Sequence, residues 1–152
     1  MSDFEREFVM VKPDGVKRRL VGNIISRLEQ VGLRVVAMKM LQLTKGMAEK
    51  HYVIHKGKPF YDGLIKFISS GPVVAVIIEG KDAVKRVRKI AGATNPMDAE
   101  AGTIRGDLAM VIGRNVVHAA DSPENAKIEY SIYFKESEIV SYEMINEDWV
   151  YE

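Results

Sequence analysis

The chain has 152 residues, of which 22 are Lys or Arg and 21 Asp or Glu, so its formal charge is +1 with histidine neutral. Without a cysteine it can form no disulfide, zinc-thiolate site or thiol nucleophile, and no apolar stretch reaches the roughly 18 residues of a membrane span. Balanced charge argues against a general nucleic-acid or membrane coat, so an anionic ligand has to be met by a local cationic cluster. The length suits a single domain, residues 1–152, large enough to build a core without staples. The start, Met1-Ser2-Asp3-Phe4-Glu5-Arg6-Glu7, is charged and unlike a secretory leader, which makes a reducing cytoplasm the expected compartment.

In chain order, Phe8-Val9-Met10-Val11 is a short apolar run stopped by Lys12-Pro13-Asp14-Gly15, a buried strand feeding a turn with Lys12 at its end. Leu20, Ile24, Leu28 and Val31 follow helical spacing, and Gly32 is placed to stop the helix. Val35 to Leu43 reads as a strand buried on much of both faces and is expected to pair with the first. Thr44 can cap a helix running through His55, and a second helix is expected from Phe60 to Ser69, so the two resemble a helical hairpin. Val73 to Ile78 is the clearest strand, and Asp82 is placed to cap a helix reaching Ile90. Gly92 to Gly106 lacks periodicity and is long enough for a functional loop. Asp121-Ser122-Pro123-Glu124 starts a short helix. Ile128, Tyr130, Ile132 and Phe134 then alternate with Glu129, Ser131 and Tyr133 like a strand with one wetter face. The resulting order suits a ferredoxin-like βαββαβ α+β sandwich: a four-stranded antiparallel sheet with helices on one face and a helical-hairpin insertion. A doubly wound parallel sheet is the alternative.

The glycine-rich phosphate loops and the His-Arg-Asp of protein kinases are absent. Only three imidazoles are present. His51 and His55 are spaced to share a metal on a helix, but lack the glutamate of a zincin. His118 ends the run Asn115-Val116-Val117 at a strand-to-helix corner, where a neutral ring could act as nucleophile if Glu129 on the neighbouring strand held its other nitrogen. Lys12, Arg88, Thr94 and Arg105 all fall at element ends or in the long loop, where they could surround a phosphoryl group. The rest of Lys85-Arg86-Val87-Arg88-Lys89 reads as a solvated helix face.

Six motifs in order resemble the nucleoside diphosphate kinase family over essentially the whole chain. They are residues 8–16 (FVMVKPDGV), His51-Tyr52 with Lys58-Pro59-Phe60-Tyr61, Ser70-Gly71-Pro72-Val73, Ala93-Thr94-Asn95-Pro96, Gly102-Thr103-Ile104-Arg105-Gly106-Asp107, and Gly113 to His118. The resemblance implies a ping-pong transfer of the γ-phosphate of a nucleoside triphosphate, mainly ATP, to a nucleoside diphosphate through a phosphohistidine at His118. It implies that Glu129 orients that ring and that Tyr52 lies beside it. Lys12 would touch phosphate and the ribose 3′-hydroxyl, Asn115 the ribose, and Arg88, Thr94 and Arg105 the phosphates. Phe60 would stack on the base, with Leu64 and Ile112 completing an apolar clamp indifferent to base identity, because every base has a π-face. Mg2+ would arrive on the nucleotide's own phosphates. The tail Trp149-Val150-Tyr151-Glu152 resembles that of family members that form homohexamers.

One departure stands out. The family serine two residues after the histidine, whose hydroxyl helps hold the glutamate, is Ala120 here. A lost neutral hydrogen bond of roughly 0.5–1.5 kcal/mol implies a modest deficit in rate. Two other readings remain: a catalytically impaired family member serving as a nucleotide-binding scaffold, and an RRM-like RNA-binding sheet. The latter needs aromatics on its central strands, where only Phe8 is offered, so no specific nucleic acid is expected.

Overall fold

The computed structural model describes residues 4–152; the first three residues of the charged N-terminal stretch lie outside the described part. Four strands form one sheet: β1 (Phe4–Val11), β2 (Arg34–Gln42), β3 (Pro72–Lys81) and β4 (Val117–Ala119), in spatial order β2-β3-β1-β4. Every pairing is antiparallel. Seven helices connect and cover them: α1 (Pro13–Lys17), α2 (Val21–Gln30), α3 (Lys45–His51), α4 (Tyr61–Ile68), α5 (Ala83–Ala91), α6 (Ile104–Leu108) and α7 (Pro123–Tyr133). None of them is long and apolar enough to cross a membrane.

The two central strands carry side chains into both faces. Val9 and Val11 of β1, with Val74, Val76 and Ile78 of β3, pack against Ile24 and Leu28 of α2 and Val87 and Ala91 of α5. Fully burying an aliphatic side chain of this size is worth about 1.5–3 kcal/mol. The crossover helices α2 and α5 therefore share one face, as the ferredoxin-like pattern requires. The other face is covered too: Phe8, Met10, Ala75 and Ile77 meet Ala48 of α3, Ile65 and Ile68 of α4, and Ala126 and Tyr130 of α7. The helical insertion thus walls the second face of the sheet.

Four local expectations are corrected. β2 pairs with β3 and lies at an edge of the sheet; β3, apolar along its length and buried on both faces, occupies the centre beside β1. The helix capped by Thr44 ends at His51 and is followed by a tight turn at Val53–His55. Asp82 stands at the start of α5 in a left-handed conformation (φ 54°) and makes no capping bond; the Val84 amide donates instead to Glu5 Oε2 (3.2 Å). Residues 128–133 belong to helix α7, with Phe134 extended just past its end; the helix start is capped by the Ser122 hydroxyl accepting from the Asn125 amide. Its buried residues Ala126, Tyr130 and Tyr133 are spaced four and three apart, a helical period. The fourth strand is the three-residue β4, with His118 at its centre.

Beyond α7 the chain returns across the sheet. The Val140 amide donates to the Val36 carbonyl (2.9 Å), and the Tyr151 ring lies 5.3 Å from Phe4.

Candidate active site

β4 pairs with β1 so that Met10 stands opposite His118. His118 Nε2 lies 2.6 Å from Oε1 of Glu129 on α7. With Nε2 tied to the carboxylate, Nδ1 is the ring nitrogen left with a lone pair. His51, at the end of α3, packs edge-on to His118 with ring centres 4.7 Å apart. Its Nε2 is 3.3 Å from the same Glu129 oxygen, while its Nδ1 meets the Tyr133 hydroxyl at 2.8 Å. Tyr52 stands edge-on to His118 at 6.4 Å, its buried hydroxyl without a partner.

The loop from β1 into α1 meets the loop leading into β4 at the floor. Lys12 Nζ donates to Asn115 Oδ1 (2.8 Å), and Asn115 Nδ2 donates to the Thr94 carbonyl (3.0 Å). The Lys12 amide donates to the Val116 carbonyl, and the Val116 amide donates to Asp14 Oδ2. These bonds hold Val116, a β-branched residue, at φ 62°, a conformation that costs about 1–3 kcal/mol and survives only where its surroundings over-determine it. The strain sits two residues from His118.

Residues 12, 52, 60, 64, 94, 112, 115, 118 and 129 all line a single cleft of about 880 Å³. Phe60 and Leu64 come from the insertion, Ile112 and Asn115 from the loop opposite, so the aromatic and aliphatic residues face one another across the mouth. His55, weighed with His51 as a metal pair, sits instead at that mouth against Phe60 (5.3 Å) and Lys58 (3.1 Å). Arg88 and Arg105 do not line the cleft. Arg88 donates to the Ala119 carbonyl (3.2 Å) and Arg105 to those of Val117 (2.7 Å) and Gly92 (2.8 Å), so both arginines brace β4 on either side of His118. Ile54, Phe67 and Arg114 also line the cleft and Tyr133 holds His51 beside it, none of them singled out for the site by the sequence. Of these, Arg114 stacks on Phe67 (4.1 Å) at the cleft wall, and no local motif signals that pair.

Burial, together with the charges of Lys12, Arg105 and Arg88, pushes the His118 pKa down to about 3, so the ring is neutral at pH 7. Burial pushes Glu129 up to about 7 against the lowering pull of His51 and Arg88. Burial and the nearby Arg105 bring Lys12 down to about 8. His51 is likewise neutral, at about 3, chiefly through burial.

A ferredoxin-like sheet that offers a carboxylate-held neutral histidine to a cleft with a cationic floor and an aromatic rim defines a phosphate-transferring enzyme of nucleotides. Comparison with known proteins narrows that class. The family model for nucleoside diphosphate kinase matches residues 5–139. The nucleoside diphosphate kinase of Archaeoglobus fulgidus is 58% identical over 148 residues, 97% of this chain and 98% of that one. That of Methanothermobacter thermautotrophicus is 54% identical over 97% and 99%. Among solved structures, a halophilic nucleoside diphosphate kinase from Halobacterium salinarum in complex with CDP superposes with a TM-score of 0.94 at 45% identity, covering 97% of this chain and 99% of that one. A transition-state mimic of the Borrelia burgdorferi enzyme with bound vanadate and ADP gives 0.91 at 39%, covering 97% and 96%. The chain belongs to the nucleoside diphosphate kinase family. It is an enzyme that transfers phosphate from a nucleoside triphosphate to a nucleoside diphosphate, a reaction type that generally needs a divalent cation.

Proposed function

We propose that His118 carries the phosphate between the two nucleotides. Its Nδ1 lone pair attacks the γ-phosphorus, the bond from phosphorus to the β,γ-bridging oxygen breaks, and the nucleoside diphosphate leaves. A terminal phosphate oxygen of a second nucleoside diphosphate then attacks the phosphohistidine and regenerates the free ring. The observation that carries this reading is the 2.6 Å contact from His118 Nε2 to Glu129, which, with the carboxylate ionised, keeps the ring proton on Nε2 and leaves Nδ1 its lone pair.

Glu129 orients the ring and stabilises the positive charge that develops on it. Lys12 meets the phosphates and the ribose 3′-hydroxyl, Asn115 the ribose, and the unpartnered Tyr52 hydroxyl stands beside the reacting group. Arg88 and Arg105 turn from the β4 carbonyls toward phosphate when nucleotide enters, and Thr94 joins them. Phe60 stacks on the base, and Leu64 and Ile112 close the clamp without reading base edges, so base and sugar specificity is broad. Among the described residues the only His/Asp/Glu group close enough to share a cation is His51, His118 and Glu129, two nitrogens and one carboxylate. That donor set is wrong for a hard, oxygen-seeking ion, which supports Mg2+ carried on the nucleotide's own phosphates, where it neutralises their charge.

Residues 1–152 form one domain of this family, a reading supported by the matched span and by the tail's contacts to β1 and β2. The working protein is a cytoplasmic homohexamer whose ligands are nucleoside di- and triphosphates, with no membrane and no specific nucleic acid. The test mixes protein with γ-labelled ATP and Mg2+, removes free nucleotide, and looks for acid-labile, base-stable label that leaves on adding GDP. Label on wild type and none on His118→Ala is expected. A folded, nucleotide-binding wild type that takes no label overturns the phosphohistidine route in favour of the impaired scaffold.

A further inference from the structure

Three histidines and no cysteine leave this chain few ways to hold a borderline-soft metal, and two of the three histidines meet at one carboxylate. One ring nitrogen each of His51 and His118 and a Glu129 oxygen lie within 4.8 Å of one another, and both Nε2 atoms face the same Glu129 oxygen. The His51 side chain is fully buried, and its Nε2 has no hydrogen-bond partner. Tyr133 holds the opposite nitrogen, so the free one points into the cluster. Glu129 Oε2 is also buried and unpartnered.

Tetrahedral zinc, with bonds of about 2.0–2.1 Å, sets neighbouring ligand atoms about 3.3 Å apart. His51 Nε2 and Glu129 Oε1 already stand at 3.3 Å. The 2.6 Å between His118 Nε2 and that oxygen has to open by about 0.7 Å. All three residues line the cleft, whose water can supply the fourth ligand.

We propose that His51, His118 and Glu129 form a binding site for a divalent transition ion of the zinc or cobalt kind, and that its occupation switches phosphotransfer off. The switch is tautomeric. A metal on His118 Nε2 needs the lone pair there, so the ring proton moves to Nδ1, and the nitrogen that attacks phosphorus loses its lone pair. The ion also takes the carboxylate that would stabilise the phosphorylated ring. Mg2+ does not compete, because two imidazoles are poor ligands for it. The inhibitory half of the proposal rests on His118 being the phosphate acceptor; the binding half does not.

The experiment titrates metal-free, nucleotide-free protein with Co2+ and follows the visible absorption of the tetrahedral ion, while a parallel titration with diamagnetic Zn2+ reads each imidazole tautomer from 15N spectra. The expected result is one Co2+ per chain, displaced by Zn2+, with His51 and His118 passing to the Nδ1–H form and His55 unchanged. Protein loaded with Zn2+ and freed of excess metal should then form phosphoenzyme from Mg·ATP at least tenfold more slowly, and a zinc-selective chelator should restore the rate. His51→Gln should lose the band, and His55→Gln should keep it. A band that survives in folded His51→Gln, or wild-type spectra that move only at His55, overturns the site. Metal bound at the cluster with no slowing overturns the switch. Metal-free protein that never labels overturns the role given to His118, while the spectra still decide the site.

Discussion

The chemistry turns on where one proton sits. If Glu129 is ionised, the His118 proton is on Nε2 and Nδ1 can attack; if the carboxyl is protonated, it donates to Nε2 and the ring proton moves to Nδ1. Burial raises Glu129 to about 7, so the active form is lost as pH falls through that value, while His118, held down to about 3, adds no limb of its own. Lys12, brought down to about 8, loses its charge and its grip on phosphate as pH rises past that value. Hence kcat/KM for the nucleotide should be bell-shaped with limbs near 7 and 8, each with unit slope. Saturating nucleotide should move the alkaline limb upward, because bound phosphate keeps the Lys12 ammonium charged. A profile flat from pH 5.5 to 9 would sink this assignment. Ala120→Ser is a second arm of the same measurement. Glu129 Oε2 is buried without a donor, and a hydroxyl there favours the ionised carboxylate. The acid limb should therefore move down and the plateau rate rise by about 2- to 10-fold, the equivalent of a hydrogen bond of roughly 0.5–1.5 kcal/mol.

At the level of elements, the site depends on a close approach between α1 and the loop before β4. A Cβ on Gly15 would stand 2.7 Å from Val11 Cγ1 and 2.9 Å from the Val116 carbonyl oxygen. That oxygen accepts from the Lys12 amide, and Val116 is already in a left-handed conformation. Gly15→Ala should thus cost about 1–3 kcal/mol by overpacking and lower Tm by about 2–4 °C per kcal/mol. It should also raise the KM for nucleotide, because Lys12 and Asn115 move with the displaced loop. Thermal unfolding and steady-state kinetics check both effects; a variant with unchanged KM would show the approach to be packing alone. The same elements show what could be read in advance. The apolar runs of β1, β2 and β3, the period of α2 and the Thr44 cap stand in the sequence because each is decided by local pattern. Residues 128–134 misled because Ile128, Tyr130, Ile132 and Phe134 alternate like a strand, yet Ile128 ends 65% exposed. What decides the segment is the Ser122 cap upstream and the four-three spacing of Ala126, Tyr130 and Tyr133. The β2–β3 pairing could not be read, since strand order is set by which strand tolerates burial on both faces. Glu129 meets His118 from a helix where a strand is expected, because the stretch that follows the Ser122 cap returns toward β4 whether it is wound or extended. The outward turn of Arg88 and Arg105 to β4 carbonyls was invisible, because backbone acceptors carry no sequence signature.

For the whole molecule, the question is what covers the apolar side chains that one chain leaves in water. Met38 and Met40 are more than half exposed on β2, which lies at an edge of the sheet; the Val140 amide and the Tyr142 hydroxyl occupy its Val36 and Val35 carbonyls, while the stretch from Met38 on has no strand beside it among the described residues. A second patch lies in the loop after α6, where Met110, Val111 and Ile112 are all exposed. Unpaired strand edges invite a second chain, and edge-to-edge antiparallel pairing of identical strands is two-fold by symmetry. In the proposed hexamer, a heterologous contact through the 109–114 loop would close a three-membered ring, and with the two-fold contact would generate a three-fold and perpendicular two-fold axes. That loop also carries Ile112 and Arg114 into the cleft and leads directly to Asn115, so assembly would hold one wall of the site. Sedimentation equilibrium should give six chain masses for the wild type. Met40→Glu, which places a carboxylate where about 1.5–3 kcal/mol of burial per chain is expected, should split the two-fold contact and leave three. A wild type that sediments at one chain mass at micromolar concentration would remove the hexamer and leave both patches to be explained otherwise.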